Sequence, residues 1–362
     1  MVLLNGLSLD PIECVEQAHA VARKILSELA RPFVVADDAL YITATIGIAA
    51  FPEHHDNVDQ LIKMADAAMY RGKMDGRNTV FFFDPKLLVA AQERMIIENA
   101  LRSAVDRNEL CLHYQPQTDQ HGMVIGAEAL MRWNHPVLGH VSPARFIPIA
   151  EESGLIGDIG LWAIREGLAA LQRWNTEGIP TGSHLSINVS QRQFISQSFV
   201  SDVLRELRCA PSIHGQLVLE LTESAAAESI DDTIDKMNQL RSAGVSFSID
   251  DFGVGYSSLG YLARLPLEQL KIDRSFITDI EVDSTKGAIV ATLLTLGDQL
   301  NLTVVAEGIE TGPQLRALIG RGCTAFQGYL FSRPLTECDF IAFCQTSARG
   351  ERIRPMALAS SC

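Results

Sequence analysis

Short apolar segments alternate with longer amphipathic ones from residue 109 to residue 345. The short segments have the length and composition of buried strands: CLHYQP, MVIGAEALMRW, HLSINVS, QLVLELT, VSFSIDD, QLKID, TVVAEG and TAFQG. Between them, segments such as LWAIREGLAALQRWNTEG and GAIVATLLTLGDQLN have apolar residues three and four positions apart, which predicts helices. Eight strands alternating with helices over about 235 residues favour a TIM-like (β/α)8 barrel, an α/β fold, over an open sheet.

The first two of these strands are joined by only a few residues, TDQHG. Parallel neighbours need a crossover of roughly a dozen residues or more, whereas an antiparallel pair needs only a tight turn. The barrel is therefore predicted to contain one antiparallel strand.

Residues 1–84 predict a separate, smaller α/β unit. Helical patterns in EQAHAVARKILSELA and DQLIKMADAAMYRGKM flank the alternating segment LYITATIGIAAFP, and TVFFF follows as a strand. Residues 85–108 are interpreted as a linker and the first helix of the barrel domain. The barrel domain then covers 109–345, and the polar segment 346–362 is expected to be disordered.

Composition narrows the classes of partner. The chain has 44 acidic and 30 basic side chains and a net charge of −14, which argues against a nucleic acid polymer or an anionic membrane as partner. No apolar run approaches the roughly 18 residues of a membrane span, and the first residues lack the features of a signal peptide. The seven cysteines show neither a CxxC pair nor zinc spacing. These features predict a cytoplasmic protein with free thiols.

Polar side chains follow most of the predicted strands at the point where each strand ends. They are Glu128, Asn188, Glu220, Asp250, Asp251, Lys271, Glu307 and Gln327. In a barrel of this class the carboxyl ends of the parallel strands meet at one mouth, which is where active sites lie. A single glutamate at a strand end is more often part of a loop salt bridge than a ligand. Repetition of such residues over seven strands favours a shared site.

The residue types at this mouth indicate its chemistry. Five carboxylates on one rim repel one another unless cations neutralise them. Oxygen ligands without histidine or cysteine favour a hard cation such as Mg²⁺ or Mn²⁺. The adjacent Asp250 and Asp251 suit two ions, because one carboxylate can bridge while the other completes the second site. Two ions about 3.5–4 Å apart stabilise the attacking and leaving oxygens when a phosphodiester is cleaved.

Nine motifs between residues 92 and 345 carry a family resemblance. They are YQPQ, GAEALMRW, AEESGLI, INVS, LELTES, IDDFGVGYSSLGYL, LKIDRSF, VVAEGIET and QGYLFSRPL. GAEALMRW contains the Glu128-Ala129-Leu130 tripeptide that names the EAL domain, and the chain resembles that family. The resemblance implies a barrel with one reversed strand that uses two Mg²⁺ or Mn²⁺ ions. It implies hydrolysis of cyclic di-GMP (c-di-GMP) to linear 5′-pGpG, a reaction of bacterial second-messenger signalling.

The resemblance also implies a set of metal ligands. The residues that match ligands of the first ion are Glu128, Asn188, Glu220 and Asp250. Asp250 matches the bridge between the ions, and Asp251 and Glu307 match positions on the side of the second ion.

Lys271 resembles the residue that holds and activates the attacking water, with Glu307 and Gln327 as further catalytic groups. A lysine among carboxylates should keep its proton, because neighbouring negative charge favours the charged form. We therefore expect Lys271 to orient the water rather than act as a general base. A structural salt bridge to Asp250 or Glu307 is the alternative.

Four further positions are assigned through their motifs. Glu223 in LTES resembles the anchor of the loop at 251–258. Arg132 resembles a phosphate contact, and Gln115 in YQPQ is assigned to substrate binding. Val254 stands where the family often has threonine, so we expect it to affect loop order or rate rather than the ligand set.

Residues 1–84 resemble the C-terminal half of a GGDEF domain through ITATIGIAAFP and ADAAMYRGKMDGRN. No GGDEF tract precedes these motifs, so we expect a piece of a longer GGDEF–EAL protein in which this half makes no c-di-GMP. Lys73 and Arg77 match phosphate-contacting positions of that family. A role as ordinary surface charges fits these two residues equally well.

Two other functions are compatible with the resemblance. Some EAL-type domains that have lost metal ligands bind cyclic dinucleotides as receptors, and other two-metal barrels cleave different phosphodiesters. Every expected ligand and the lysine are present in this chain, which favours an active enzyme. The family tends to pair through helices close to DFGVGYSS, so we also expect a homodimer.

Overall fold

The computed structural model of the chain describes residues 1–4, 6–7, 11–35, 38–40, 42–49, 58–83, 85–177, 179, 184–213, 215–227, 230–253 and 262–348. The chain divides into two compact units, Met1–Asn99 and Ala100–Cys362. The first three residues of the tail predicted at 346–362 belong instead to the helix Glu337–Ala348, and Val254 and the rest of the tail lie outside the described residues. None of the helices in the described ranges has both the length and the apolar character needed to cross a bilayer.

The first unit combines short strands with long helices. The strands are β1 (Phe33–Val35), β2 (Asp38–Leu40), β3 (Ile46–Ile48) and β4 (Val80–Phe82), and the helices are Pro11–Leu29, Val58–Met74 and most of Pro85–Leu101. β1 pairs with β2 antiparallel and β3 pairs with β4 parallel. Gly47 of β3 lies directly against a helix, since a side chain there would meet the carbonyl oxygen of Ala65. The segment LYITATIGIAAFP, predicted as one strand, instead contributes to both β2 and β3.

The second unit is a closed barrel built from the eight predicted strands. In barrel order they are β5 (Leu110–Asp119), β6 (Val124–His135), β8 (His184–Asn188), β9 (Leu217–Thr222), β10 (Val245–Phe252), β11 (Gln269–Ile272), β12 (Thr303–Ala306) and β13 (Ala325–Gln327). β5 pairs antiparallel with both β6 and β13, and the other neighbours are parallel. The predictions of a TIM-like barrel and of one antiparallel strand are therefore confirmed. A short strand that was not predicted, β7 (Gly139–Val141), pairs with β6 outside the closed ring.

Helices alternate with the parallel strands along the chain. They are Pro143–Ser153, Ile156–Thr176, Gln191–Ile195, Phe199–Arg208, Glu223–Ala227, Ile230–Arg241, Arg274–Ile277, Ser284–Leu300, Gly312–Ile319 and Glu337–Ala348. The hydroxyl of Thr311 accepts the Gln314 N–H and the Gln314 side chain accepts the Thr311 N–H, a capping box that starts one helix. The Asp273 side chain accepts the Ser275 N–H and caps another. These caps define where the two helices begin, and therefore where the segments that follow β12 and β11 end.

The helix Ile156–Thr176 shows how the barrel wall is covered. One face of this helix is buried, and it ends near an aromatic cluster that reaches β5. The ring centroids of Tyr114 and Trp174 are 5.1 Å apart, and those of Trp174 and Phe340 are 4.6 Å apart. Aromatic pairs in such arrangements contribute about 0.5–1.5 kcal/mol beyond the burial of their area. The cluster thus ties the C-terminal helix to the antiparallel strand.

We propose that the barrel domain folds without residues 1–84. Every described member of its main apolar core lies between Leu112 and Cys344. A protein that starts at residue 85 should therefore unfold in one cooperative thermal transition, which circular dichroism can follow beside the whole chain. Precipitation, or melting without a cooperative transition, would contradict the proposed boundary.

Candidate active site

The predicted strand-end residues come together near the carboxyl ends of the parallel ladders, although β6 itself continues past Glu128 to His135. In barrel order they are Glu128 on β6, Asn188 at the end of β8, Glu220 on β9, Asp250 and Asp251 on β10, Lys271 on β11, Glu307 directly after β12 and Gln327 at the end of β13. Parallel pairing brings neighbouring members to one level, as where Asn188 is the register partner of Glu220. The mouth of the barrel therefore carries one polar cluster.

Lys271 lies at the centre of this cluster, with 1% of its side chain exposed. Its Nζ atom is 2.6 Å from Glu307 Oε1 and 2.7 Å from Glu220 Oε2. Glu128 Oε2 and Asp250 Oδ1 are each 3.4 Å away. A buried charge is costly unless it is paired, so these carboxylates explain how a lysine is tolerated in the barrel interior. One ammonium group does not balance four ionised carboxylates.

Two amide side chains hold the carboxylate of Glu128. Asn188 Nδ2 donates to its Oε1 over 2.7 Å, and Gln327 Nε2 donates to its Oε2 over 2.5 Å. Gln327 also donates to Gln115 Oε1 over 3.4 Å. Hydrogen bonds to an ionised acceptor are stronger than neutral ones, so protein groups fix both oxygens of Glu128.

A bulge at the end of β10 orients the two adjacent aspartates. The register between β10 and β11 shifts between Ile249 and Phe252. Asp251 has a left-handed φ of 53°, and its N–H donates to Asp250 Oδ1 over 2.9 Å. A residue other than glycine in this conformation carries strain, which is often found at functional sites. Of the two aspartates, Asp250 belongs to the described group of close carboxylate oxygens, with Glu128 and Glu220, whereas Asp251 is exposed and is not a member of that group.

Glu223 supports the backbone just after this bulge. Its Oε2 accepts the N–H of Gly253 over 3.4 Å. Gly253 has a φ of 95°, a conformation in which glycine carries no steric penalty. The contact agrees with the predicted anchoring of the loop at 251–258, although residues 254–261 lie outside the described part of the chain.

Burial and charge shift the pKa values of the cluster in different directions. Burial raises the pKa of Glu220 to about 8 and that of Glu307 well above its ordinary range. Burial opposes ionisation of Glu128 too, but Lys271 and the amides of Gln327 and Asn188 lower its pKa overall. Burial also opposes the charge of Lys271, whose pKa is nevertheless raised by the carboxylates around it. The surroundings thus favour the protonated forms of Glu220 and Glu307 and the charged forms of Glu128 and Lys271.

The cluster fits a divalent metal ion. Glu128, Glu220 and Asp250 offer oxygen atoms that lie within 4.8 Å of one another. Glu220 Oε1 is buried, and no described residue bonds to it. A buried carboxylate oxygen without a partner is costly unless a ligand satisfies it. The donors are oxygen atoms, which suits a hard cation such as Mg²⁺ or Mn²⁺.

A pocket opens beside this cluster. Its lining residues are Gln115, Glu128, Leu130, Arg274, Glu307, Gly308, Glu310, Gln327, Gly328 and Tyr329. Gln115, assigned to substrate binding from the sequence, lies in this wall, and its amide donates to the carbonyl oxygen of Ser332 over 3.3 Å. Arg132 is not a lining residue, and its guanidinium donates to the carbonyl oxygen of Met131 over 2.8 Å. Both substrate contacts stay predictions.

Sequence reasoning missed three polar residues at this mouth. Asp273 directly follows β11, so its position at a strand end indicated a site residue in the same way as that of Lys271. Its charge acts on Asp251, whose pKa is raised by burial and then by Asp250 and Asp273. The other two, Arg274 and Glu310, form an ion pair of 2.9 Å between the start of the helix after β11 and the loop after β12, which no local pattern predicts.

Comparison with known families agrees with this architecture. A family model described as "EAL domain" matches residues 98–334, more than half of the chain. The chain therefore belongs to the EAL domain family. A second model, "Diguanylate cyclase, GGDEF domain", matches residues 2–79. Both resemblances found in the sequence are confirmed.

Individual relatives cover most of the chain. It is 41% identical over 334 residues to the bifunctional diguanylate cyclase/cyclic di-GMP phosphodiesterase MucR of Pseudomonas aeruginosa, covering 91% of this chain and 49% of that protein. It is 39% identical over 320 residues to the cyclic di-GMP phosphodiesterase NbdA of the same organism, covering 88% and 41%. The chain thus spans about half the length of the curated relatives it matches, or less.

A solved structure has the same fold as the barrel unit. It is described as "PaMucR Phosphodiesterase, c-di-GMP complex", with a TM-score of 0.65 and 41% identity. The similarity covers 68% of this chain and 99% of that one.

Metal binding should strengthen as the pH rises from about 6 to about 8.5. Burial raises the pKa of Glu220 to about 8, so below that pH a metal ion must displace a proton from this carboxyl. Affinity for Mn²⁺ should rise by up to roughly tenfold per pH unit for each proton released, and level off above the pKa. Calorimetry in buffers of different ionisation enthalpy measures both quantities.

Glu220→Gln is the control for this dependence, because it removes the titrating proton. It should bind Mn²⁺ more weakly and with a shallower pH dependence. An affinity in the unaltered chain that stays constant with pH, or a net uptake of protons, would contradict the prediction.

Proposed function

We propose that the chain hydrolyses c-di-GMP to linear 5′-pGpG. The observation that carries this proposal is the cluster of carboxylates and amides around the buried Lys271, beside an open pocket. Two relatives named as cyclic di-GMP phosphodiesterases and a similar structure described as a c-di-GMP complex support the choice of substrate. In the reaction water adds across one phosphodiester bond, which leaves a 5′-phosphate and a free 3′-hydroxyl.

Two divalent ions, Mg²⁺ or Mn²⁺, are the proposed cofactors. The residues that would hold the first ion are Glu128, Asn188, Glu220 and Asp250, and those on the second are Asp250, Asp251 and Glu307. When bound, the ions supply Lewis acidity that activates a water molecule and stabilises charge on the phosphate. The role of Asp250 on the first ion is supported by its carboxylate oxygen, which lies within 4.8 Å of those of Glu128 and Glu220.

Lys271 is proposed to hold the attacking water in line and to offset charge on the phosphate. Burial opposes its charge, but the carboxylates around it raise its pKa well above the ordinary value. A lysine that keeps its proton stabilises and orients instead of acting as a base. Gln327 fixes the carboxylate of Glu128, and Glu223 supports the loop through the N–H of Gly253.

The remaining expectations about partners stay predictions. A homodimer through helices near DFGVGYSS involves residues 254–261, which lie outside the described part of the chain. The cytoplasmic location is proposed from the sequence. A nucleic acid polymer is not a proposed partner of this acidic chain.

Incubation of the purified chain with c-di-GMP and Mg²⁺, followed by chromatography, tests the function directly. Linear pGpG is the expected product. Excess chelator should abolish turnover and Mg²⁺ or Mn²⁺ should restore it, whereas Ca²⁺ should substitute poorly because its coordination is longer and looser. Glu128→Ala should lose activity and keep its thermal transition, and Glu177→Ala on the exposed surface is the matched control. Turnover in excess chelator would contradict the metal dependence, and binding without turnover would indicate a receptor.

In Lys271→Met, an uncharged apolar side chain of similar length replaces the lysine. This variant should bind c-di-GMP and metal nearly as before but lose on the order of 10²-fold or more in kcat. The exposed Lys63→Met provides the matched control. A near-normal kcat would contradict the proposed role of Lys271 in orienting the attacking water. A loss of affinity or melting temperature as large as the loss of turnover would instead indicate a structural salt bridge.

A further inference from the structure

A row of polar residues crosses the barrel wall beside the carboxylate cluster. Strand register places Gln327 of β13 next to Gln117 of β5, and Gln117 next to Gly126 of β6. Gly126 in turn is the register partner of His184 on β8. Gln117 and Gln327 are buried, and buried amides require hydrogen-bond partners.

The side chains of this row form a chain of hydrogen bonds. His184 Nε2 is 2.7 Å from Gln117 Oε1. Gln117 Nε2 is 2.9 Å from Gln327 Oε1, and Gln327 Nε2 donates to Glu128 Oε2. We call these four side chains the amide relay.

The carboxylate at one end determines the direction of every bond in the amide relay. An ionised carboxylate only accepts, so Gln327 must present its NH₂ group to Glu128. The carbonyl oxygen of Gln327 then accepts from the NH₂ group of Gln117, whose own carbonyl needs a donor. His184 supplies that donor when its proton is on Nε2, which also fixes the tautomer of the ring. The side-chain amide of Gln269 lies 3.5 Å from the same ring nitrogen, and with this tautomer it must present its carbonyl oxygen there.

Gly126 makes the contact between His184 and Gln117 possible. β8 and β5 are not neighbours in the barrel, because β6 lies between them. A Cβ atom at position 126 would lie 2.6 Å from the Cε1 and Nε2 atoms of the His184 ring, closer than such atoms approach. The ring thus lies over the glycine, and a larger residue there would displace it from Gln117.

We propose that Gln117 and His184 are positioning residues for the metal site. They fix the amide of Gln327, which in turn holds Glu128 in the orientation that binds a divalent ion. This inference rests on the proposed function, because that function assigns Glu128 to metal binding. Gln117 and His184 do not line the pocket, so they act through Gln327.

Loss of the donor at Gln117 would leave the buried carbonyl oxygen of Gln327 without its partner, so only the contacts at its NH₂ group would orient the amide. A flipped amide would place its carbonyl oxygen against the carboxylate of Glu128, where two acceptors repel each other. Groups that orient metal ligands through hydrogen bonds typically contribute about 10- to 100-fold to metal affinity or activity. The amide relay should contribute within that range.

The test measures the affinity of the full chain for Mn²⁺ by calorimetry, without substrate. Gln117→Met keeps a side chain of similar length but has neither the donor nor the acceptor of the amide, and His184→Leu removes the first donor. Each should weaken Mn²⁺ binding by about 10- to 100-fold, while KM for c-di-GMP at saturating Mn²⁺ stays nearly unchanged. His184→Gln keeps an NH₂ group at similar reach and should retain most of the affinity.

Thr118→Val is the matched control, because Thr118 is buried beside Gln117 and no described residue bonds to its hydroxyl. Its Mn²⁺ affinity should equal that of the unaltered chain. The proposal is overturned if folded Gln117→Met and His184→Leu proteins bind Mn²⁺ normally, or if His184→Gln loses as much as His184→Leu. If Gln117→Met does not fold, the comparison of the two His184 variants decides between the outcomes. If the unaltered chain binds no Mn²⁺, the proposed metal-dependent function fails, and this inference fails with it.

Discussion

The ion pairs between Lys271 and the carboxylates around it require a closed barrel. Its Nζ atom lies between 2.6 and 3.4 Å from oxygens of Glu128, Glu220, Asp250 and Glu307, which come from different strands or strand ends. Side chains alternate between the two faces of a strand, so a slip of one residue in β11 would turn Lys271 out of the cluster. The remaining carboxylates would then lie close together with no internal cation. Correct register in the parallel strands is therefore a condition for the site.

The strands and most of the mouth could be predicted because buried parallel strands have a local signature. Each is short and apolar, and its polar end lies where the strands converge. β7 was missed because its three residues are too few to show an alternating pattern. Asp273 was missed for a different reason. It caps a helix, and an aspartate directly before a helix is usually explained by that role alone. The split of one predicted strand into β2 and β3 also had no local signal.

The amide relay could not be predicted from local patterns, because its contacts depend on register between strands distant in the sequence. Gln117 and Gln327 are 210 positions apart, and His184 reaches Gln117 across a strand that lies between them. The residue that permits this contact is Gly126, which contributes no side chain atoms of its own. A sequence pattern records which residues are apolar or charged. It does not show where the absence of one side chain allows the side chains of two other residues to come into contact.

Charge links the metal site to the binding of an anionic substrate, if the proposed function holds. The chain has a net charge of −14, and c-di-GMP carries two phosphate groups. The cation lining the described pocket, Arg274, is paired with Glu310 at 2.9 Å, and Lys271 is surrounded by carboxylates. Neither has its full charge available for a phosphate, and like charges repel strongly where burial lowers the dielectric. In the proposed function, metal ions therefore supply much of the positive charge that lets the nucleotide approach, in addition to the predicted phosphate contact at Arg132 and to Lys271. The residues that hold the ions then affect both substrate binding and catalysis.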